Sequence, residues 1–305
     1  MNPEAKLVFI HQRNSWYLPY ALYQSRYISP DSEVVLIGES KYPDVTCVSL
    51  DRLADCAQAK EFRTNYVHMS SNPAWYELIC FLRWFYLLEY MRSSRVQSVL
   101  YLDSDVLLFS SMKDLARQST SLGAGVARGA CLFHQGRGTA GISYWTQEGL
   151  HNFCQCLLNC YRQKEKITLL QDIWQRFVTT GTPGGICDMT PISLFYSPDA
   201  DSLADLARIE GGVFDCGINV SSNYVENEYV MRRGMKKMIF RDRIPYFEKN
   251  DTSRTIVRAH ALHFQGEAKG DMPLYYTGGC FKDKMLHDLK GFVYRLRRDI
   301  RGKKF

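Results

Sequence analysis

Val99-Leu100-Tyr101-Leu102-Asp103-Ser104-Asp105-Val106-Leu107-Leu108-Phe109 is an apolar run broken by two carboxylates one serine apart. An apolar run of this kind suits a strand buried in a sheet covered by helices. Asp103 and Asp105 would then emerge at the strand's C-terminal end, where open α/β sheets bind ligands. Unpaired charge is costly to bury, and two carboxylates this close repel each other unless a cation sits beside them. A hard divalent cation takes oxygen ligands and can bridge to substrate phosphates. Asp103 and Asp105 are therefore candidate metal ligands. The plainer alternative is an Asp-x-Asp surface turn.

Upstream, Leu7–His11 reads as a first buried strand and Val34–Ile37, closed by Gly38, as a second, with a helix around Tyr17–Arg26 between them. Ala74–Arg92 is long, apolar and aromatic at helical spacing, and Ser98–Leu102 is the third strand. Strands alternating with helices predict an α/β fold with a mainly parallel sheet flanked by helices. Downstream, Gly136, Gly138 and Gly141 punctuate a loop and a strand at Gly141–Tyr144. Helices follow at Thr146–Arg162 and Leu169–Val178, the second stopping at the breaker cluster of residues 179–185. Asp188 occupies an N-cap position before a helix at Met189–Tyr196, with Pro191 in its tolerated first turn.

The chain has 305 residues, 46% hydrophobic and 23% charged, an ordinary globular balance. It shows no internal repeat and no low-complexity linker, so residues 1–280 read as one domain. The net charge of +6 belongs to the C-terminal segment, residues 281–305, where nine Lys/Arg face three Asp; the rest of the chain is neutral. In that segment Phe292, Tyr294, Leu296 and Ile300 interleave with Arg295, Arg297, Arg298 and Arg301, a pattern that suits an anionic membrane surface as well as a solvated tail. A neutral body without a recognition motif argues against nucleic acid. No apolar run reaches the roughly 18 residues of a membrane span, and Leu7–Ile10 is too short for a signal-peptide core. The expected location is cytoplasmic, or peripheral on the cytosolic face of a membrane. The ten cysteines, including Cys154, Cys156 and Cys160 on one helix, lack zinc-site spacing and read as free thiols.

A second motif, Leu262-His263-Phe264-Gln265-Gly266-Glu267-Ala268-Lys269, lies late in the chain. Histidine can bind a divalent metal through a neutral ring nitrogen. Glycine allows close backbone approach, and lysine supplies a mobile positive charge for a phosphate. Together the two motifs describe one site: two carboxylates and an imidazole around a cation, and a lysine for a diphosphate.

This pair of motifs resembles the donor site of GT-A fold glycosyltransferases, particularly the glycogenin and bacterial lipopolysaccharide galactosyltransferase type. The resemblance spans about residues 7–270 and is specific at the two motifs. It implies a GT-A, Rossmann-like fold, a nucleotide-sugar donor (a UDP-sugar in this type), and a manganese or magnesium ion on Asp103, Asp105 and His263. It implies diphosphate contacts from Gly266 and Lys269, and donor contacts from Arg83 and Ser104. Thr139-Ala140-Gly141-Ile142 is similar to the strand that touches the donor sugar, which makes Ala140 and Gly141 candidates, although Ala140 replaces a usual polar residue. The first strand makes Ile10, His11 and Gln12 candidate nucleotide contacts. The resemblance also calls for a catalytic acidic residue. Asp188, at a helix N-terminus whose dipole favours the anion, is the better placed. Asp172 is held in reserve, four residues before Arg176 at ion-pair spacing. Asp215 reads as a buried, hydrogen-bonded carboxylate. The resemblance implies retention of configuration and a carbohydrate, glycolipid or glycoprotein acceptor. Rival readings are a haloacid-dehalogenase-type phosphohydrolase, which also has Asp-x-Asp after a strand, and a non-catalytic nucleotide-sugar-binding protein.

Overall fold

The computed structural model describes residues 1–119, 129–134, 137–195, 203–206 and 209–302. Strand β1 (Lys6–His11), helix α1 (Leu18–Ile28), strands β2 (Val34–Gly38) and β3 (Thr46–Val48) and helices α2 (Asp51–Ala54) and α3 (Ala57–Asn65) follow in that order. Helix α4 (Ala74–Ser93) leads into β4 (Ser98–Leu102) and β5 (Val106–Leu108), followed by α5 (Met112–Gln118). Next come β6 (Gly129–His134), β7 (Arg137–Thr146), α6 (Gln147–Arg162), α7 (Lys164–Thr180) and α8 (Met189–Phe195). Short strands β8 (Ala204–Asp205), β9 (Val213–Phe214), β10 (Met231–Arg232), β11 (Met235–Lys236), β12 (Met238–Arg241) and β13 (Ile244–Glu248) precede β14 (Ile256–His263). A 3-10 turn (Gly266–Asp271), α9 (Met272–Tyr275) and α10 (Lys284–Gly302) finish the chain.

The main sheet has the order β3-β2-β1-β4-β7-β6-β8. The first four strands are parallel, β7 is antiparallel to β4 and β6, and β8 is parallel to β6. The expected mainly parallel α/β sheet is therefore present, with one antiparallel insertion. A second sheet runs β12-β13-β14-β5, all antiparallel, with β9 alongside β14.

Period-two alternation sorts the main sheet's side chains onto two faces. Leu7, Phe9, Leu100 and Leu102 join the cluster that includes α1, β5 and β14, whereas Val8, Val99 and Tyr101 join the cluster beneath α4 and α6. Helix α4 is apolar nearly all round, as befits a helix sunk in the core, with Phe81, Trp84, Phe85, Leu87 and Leu88 buried. Helix α6 starts where Thr146 caps it, its hydroxyl accepting the Gly149 N–H.

The basic C-terminal segment is a helix with one face docked on the body. Asp288 accepts from Tyr20 Oη at 2.6 Å, His287 Nδ1 lies 2.6 Å from the Trp16 carbonyl, and Gly291 packs on Pro273 and Trp16. Arg301 and residues 303–305, also counted in the basic segment, have no described side chains, and Gly136 and Tyr196 lie outside the described residues. All ten cysteines are free; Cys131, Cys154, Cys160 and Cys216 are buried and Cys280 is exposed. Among the described residues no helix is long and apolar enough to cross a membrane.

Candidate metal and diphosphate site

β4 delivers Asp103 at its C-terminal end, and a tight turn carries the chain to β5, with Val106 N donating back to the Asp103 carbonyl at 3.0 Å. β5 then pairs with β14 in a register that sets His263 opposite Val106. The ladder continues one step, Phe264 N donating to the Asp105 carbonyl at 2.9 Å. Two motifs far apart in sequence are thereby joined by backbone hydrogen bonds. One ligand atom each from Asp103, Asp105 and His263 lies within 4.8 Å of the others.

His263 Nε2 is 3.3 Å from Asp105 Oδ1, and Lys269 Nζ is 2.8 Å from Asp105 Oδ2. Burial opposes the Asp105 charge, but His263 and Lys269 outweigh it and hold the carboxyl far below the usual carboxylate range. Burial likewise opposes charge on both partners, and Asp105 raises His263 and Lys269 above their ordinary values. Asp103 divides its two oxygens. Oδ1 accepts from Arg83 Nη1 at 2.8 Å and from Tyr101 Oη at 2.7 Å. Oδ2 faces the site, close to Gly141 and His263. Two carboxylates and one imidazole form a hard, mostly oxygen donor set that fits a divalent cation. A divalent ion on Asp105 would compete with Lys269 for this carboxylate.

Gly141 is needed here for space. A Cβ on it would sit 2.8 Å from His263 Cε1 and 3.1 Å from Asp103 Oδ2, while its carbonyl accepts from Asp103 N at 2.8 Å. Gly141→Ala is expected to leave the sheet intact and weaken manganese binding at least tenfold, about 1.4 kcal/mol. Isothermal titration with manganese checks this, and unchanged affinity would show that the metal does not use this corner. Gly266 has φ +55, in the left-handed region, and no described atom lies within 4 Å of where its Cβ would stand. The turn is therefore both glycine-dependent and open to a ligand.

Arg83 links the metal motif to Asp188. Its Nε donates to Asp188 Oδ2 at 3.0 Å, its Nη2 donates to the same oxygen, and Trp84 Nε1 adds a third donor at 2.9 Å. The Asp188 Oδ1 carries no hydrogen bond among the described residues. Burial acts against the Arg83 charge, yet Asp188, Tyr101 and Asp103 keep it well above its ordinary value. For Asp188 the helix-dipole expectation is outweighed: burial pushes its carboxyl up, against the pull of Arg83 and Trp84. Asp188 sits just before α8 as expected, but its side chain turns inward to Arg83.

The other sequence candidates separate. His11 lies near enough for Asp105 and Asp103 to offset part of the burial that lowers its pKa, and its Nε2 is 2.8 Å from Ser15 Oγ. Ile10 is half-buried against the α4-side core, and Gln12 is exposed just past the end of β1. Ser104 is half-buried between the two aspartates. Ala140 is not brought to the site by its side chain, which is buried in the core under α4 and α6; the alternation of β7 turns Gly141 to the site instead. Asp172 is exposed on α7, beside Gln175, Arg176, Thr179 and Thr180, apart from the carboxylate cluster. Asp215 is fully buried, accepting from the His263 N–H at 3.1 Å and paired with buried Lys236.

Sequence reasoning missed Tyr101 and Tyr17. Tyr101 was legible, since it stands two residues before Asp103 on one strand and so shares its face. Tyr17, with its ring centroid 5.5 Å from Lys269 Nζ, carried no local signal. The turn bearing Lys269 is held from outside by α10: Arg295 donates to the Gly270 carbonyl and Arg298 pairs with buried Asp271. A cleft of about 510 Å³ lies at the opposite end of β4, lined by Arg92, Ser98, Tyr144 and His151, and shares no residue with this cluster.

No protein-family model matches the chain, and no curated protein matches it. Solved structures do resemble it. Mouse xyloside xylosyltransferase 1 shares 12% identity over 67% of this chain and 85% of that one, with a TM-score of 0.41. An active-site mutant of LgtC shares 15% identity over 94% of this chain and 95% of that one, with a TM-score of 0.43. The glycosyltransferase GlyE of Streptococcus pneumoniae shares 13% identity over 67% and 45%, with a TM-score of 0.32.

Proposed function

We propose that this chain is a GT-A-type, metal-dependent glycosyltransferase that moves a sugar from a nucleoside-diphosphate sugar to an acceptor hydroxyl. The observation that carries the reading is the convergence of Asp103, Asp105 and His263 at the strand ends, with Lys269 already paired to Asp105. A manganese or magnesium ion held there would supply Lewis-acid stabilisation to the departing diphosphate. Lys269 adds a positive charge that strengthens as water is excluded. Arg83 and Asp188 orient the sugar, Asp188 through its Oδ1. Ile10, His11 and Gln12 line the nucleotide end, with a uridine base as the first to test.

With retention of configuration, the anomeric carbon's bond to the diphosphate breaks as its bond to the acceptor oxygen forms on the same face. The acceptor's proton passes to the leaving phosphate. Asp188 then needs no role as a base, which suits a carboxylate already committed to Arg83 and Trp84. A lipid-linked or polysaccharide acceptor reached at the cytosolic membrane face suits the basic C-terminal segment.

A thermal-shift panel of UDP, GDP, CDP and ADP, with and without manganese, tests the donor site. A nucleotide at about 100 times its dissociation constant should stabilise the fold by roughly 2.7 kcal/mol. One nucleotide shifting only with manganese supports the reading and names the base; no shift with any of the four sinks it. The product anomer, read by NMR, then decides retention.

A further inference from the structure

A fully buried ion pair lies behind the cluster of candidate ligands. Asp215 Oδ1 accepts from Lys236 Nζ at 2.5 Å, with both side chains at 0% exposure. Replacing such a pair by apolar side chains of similar volume is often neutral or stabilising, so stability alone does not account for it. Its hydrogen bonds give another reason. Lys236 Nζ has three donors and three acceptors: besides Asp215 it reaches the Gly217 carbonyl at 3.0 Å and Asn223 Oδ1 at 2.7 Å. Asn223 in turn donates to the Phe214 carbonyl at 3.1 Å and accepts from Cys216 N at 3.2 Å. One ammonium thereby sets the course of residues 214–218.

That segment grips His263. β9 pairs with β14 only as far as Phe214. Beyond it a side chain takes over as acceptor, Asp215 Oδ2 receiving the His263 N–H at 3.1 Å. A charged acceptor makes a stronger bond than a neutral carbonyl. Further along, Ile218 N donates to the His263 carbonyl at 2.9 Å. The Cys216 carbonyl accepts at 2.8 Å from Gln265 Nε2, which lies 3.3 Å from His263 Nδ1. Both backbone polar groups of His263 and one edge of its ring are therefore held by a segment that the buried pair organises. We propose that Asp215 and Lys236 are positioning residues for His263, which fix the imidazole beside Asp103 and Asp105 before a cation arrives. They act through the His263 backbone. The inference rests on the reading of Asp103, Asp105 and His263 as ligands of a divalent cation. Groups that orient a metal ligand from behind typically contribute roughly 10–100-fold to affinity.

Two double variants of the full chain test it. Asp215→Asn/Lys236→Met keeps an oxygen for the His263 N–H, and Asp215→Leu/Lys236→Met offers none; both remove the buried charges. Manganese affinity is measured by isothermal titration at a temperature where circular dichroism shows each variant folded. The Asn/Met variant should bind within about threefold of wild type, and the Leu/Met variant at least about tenfold more weakly. A merely structural role would lower both melting temperatures and leave the two affinities alike. Equal affinities in the two variants, whether both strong or both weak, overturn the inference alone. No manganese binding by wild type overturns the metal-site reading and the inference with it. A measurement on wild type covers the case of a variant that does not fold. Hydrogen exchange of the His263 amide, read by NMR, should be slow without metal and unchanged by diamagnetic magnesium. An amide that exchanges freely until magnesium is added would mean that the cation assembles this corner, and the inference fails.

Discussion

Asp105→Asn is expected to lower turnover by about a thousandfold or more, roughly 4 kcal/mol of transition-state stabilisation, and to abolish the manganese-dependent nucleotide shift. The carboxylate is buried, and its oxygens face His263 Nε2 and Lys269 Nζ. The amide removes the charge that faces both cations, so the variant loses a proposed anionic metal ligand and the partner of Lys269. The same geometry sets a pH dependence. Asp105 raises the His263 pKa above its ordinary value, so without metal the imidazolium persists to higher pH, and metal must displace its proton. Manganese affinity should therefore rise with pH through the histidine range, releasing about one proton per ion. The linkage to stability has the opposite sign: the contribution of metal-free His263 is fully present below its unfolded pKa and lost as pH rises through its raised folded value. Titration calorimetry in two buffers of different ionisation enthalpy counts the proton. A pH-independent affinity would mean that His263 is not a ligand.

Arg83→Met is expected to be the most destabilising single change at the site, by about 3–5 kcal/mol, the usual cost of removing one partner of a buried ion pair. The guanidinium gives two of the three hydrogen bonds on Asp188 Oδ2 and one on Asp103 Oδ1. Its loss leaves Asp188, 3% exposed, with the single donor Trp84. The double variant Arg83→Met/Asp188→Leu should recover part of the loss, because an apolar pair of similar volume is often as stable as a buried ion pair. Denaturant melts of the two variants check this. Equal stability of Arg83→Met and wild type would mean that Asp188 is protonated in the fold and needs no cation.

Much of the sheet was readable because its strands are continuous apolar runs: Leu7–His11, Val34–Ile37 and Ser98–Leu102 lie within one residue of the strands observed. The Asp103-Asp105 pair was readable because an apolar strand makes any charge in it conspicuous. What sequence could not supply was facing. Whether Ala140 or Gly141 meets the ligand depends on which side of β7 lies against α4, and that is set by tertiary packing. The burial of Asp188 and its bonds to Arg83 likewise depend on residues more than 100 positions away. Strands β8 to β13 are two to five residues long, too short for a period to register. Helix α10 looked like a tail because its charge is obvious locally, whereas its anchors, Trp16, Tyr20, Gly270 and Asp271, belong to other elements.

The antiparallel pairing of β5 with β14 also governs the order in which this protein can come into being. It joins Val106 to His263, and closing a loop of roughly 160 residues costs chain entropy before any contact repays it. During synthesis at about 5–20 residues per second, Asp103 and Asp105 would therefore leave the ribosome many seconds before their histidine exists. The pair has to wait as two solvated acids in a chain whose last buried ladder is still missing. Non-local pairings of this kind form late and slowly. Metal capture at the proposed site would thus report completed folding, and a truncated or stalled chain ending before β14 would carry the conspicuous acidic motif without its histidine.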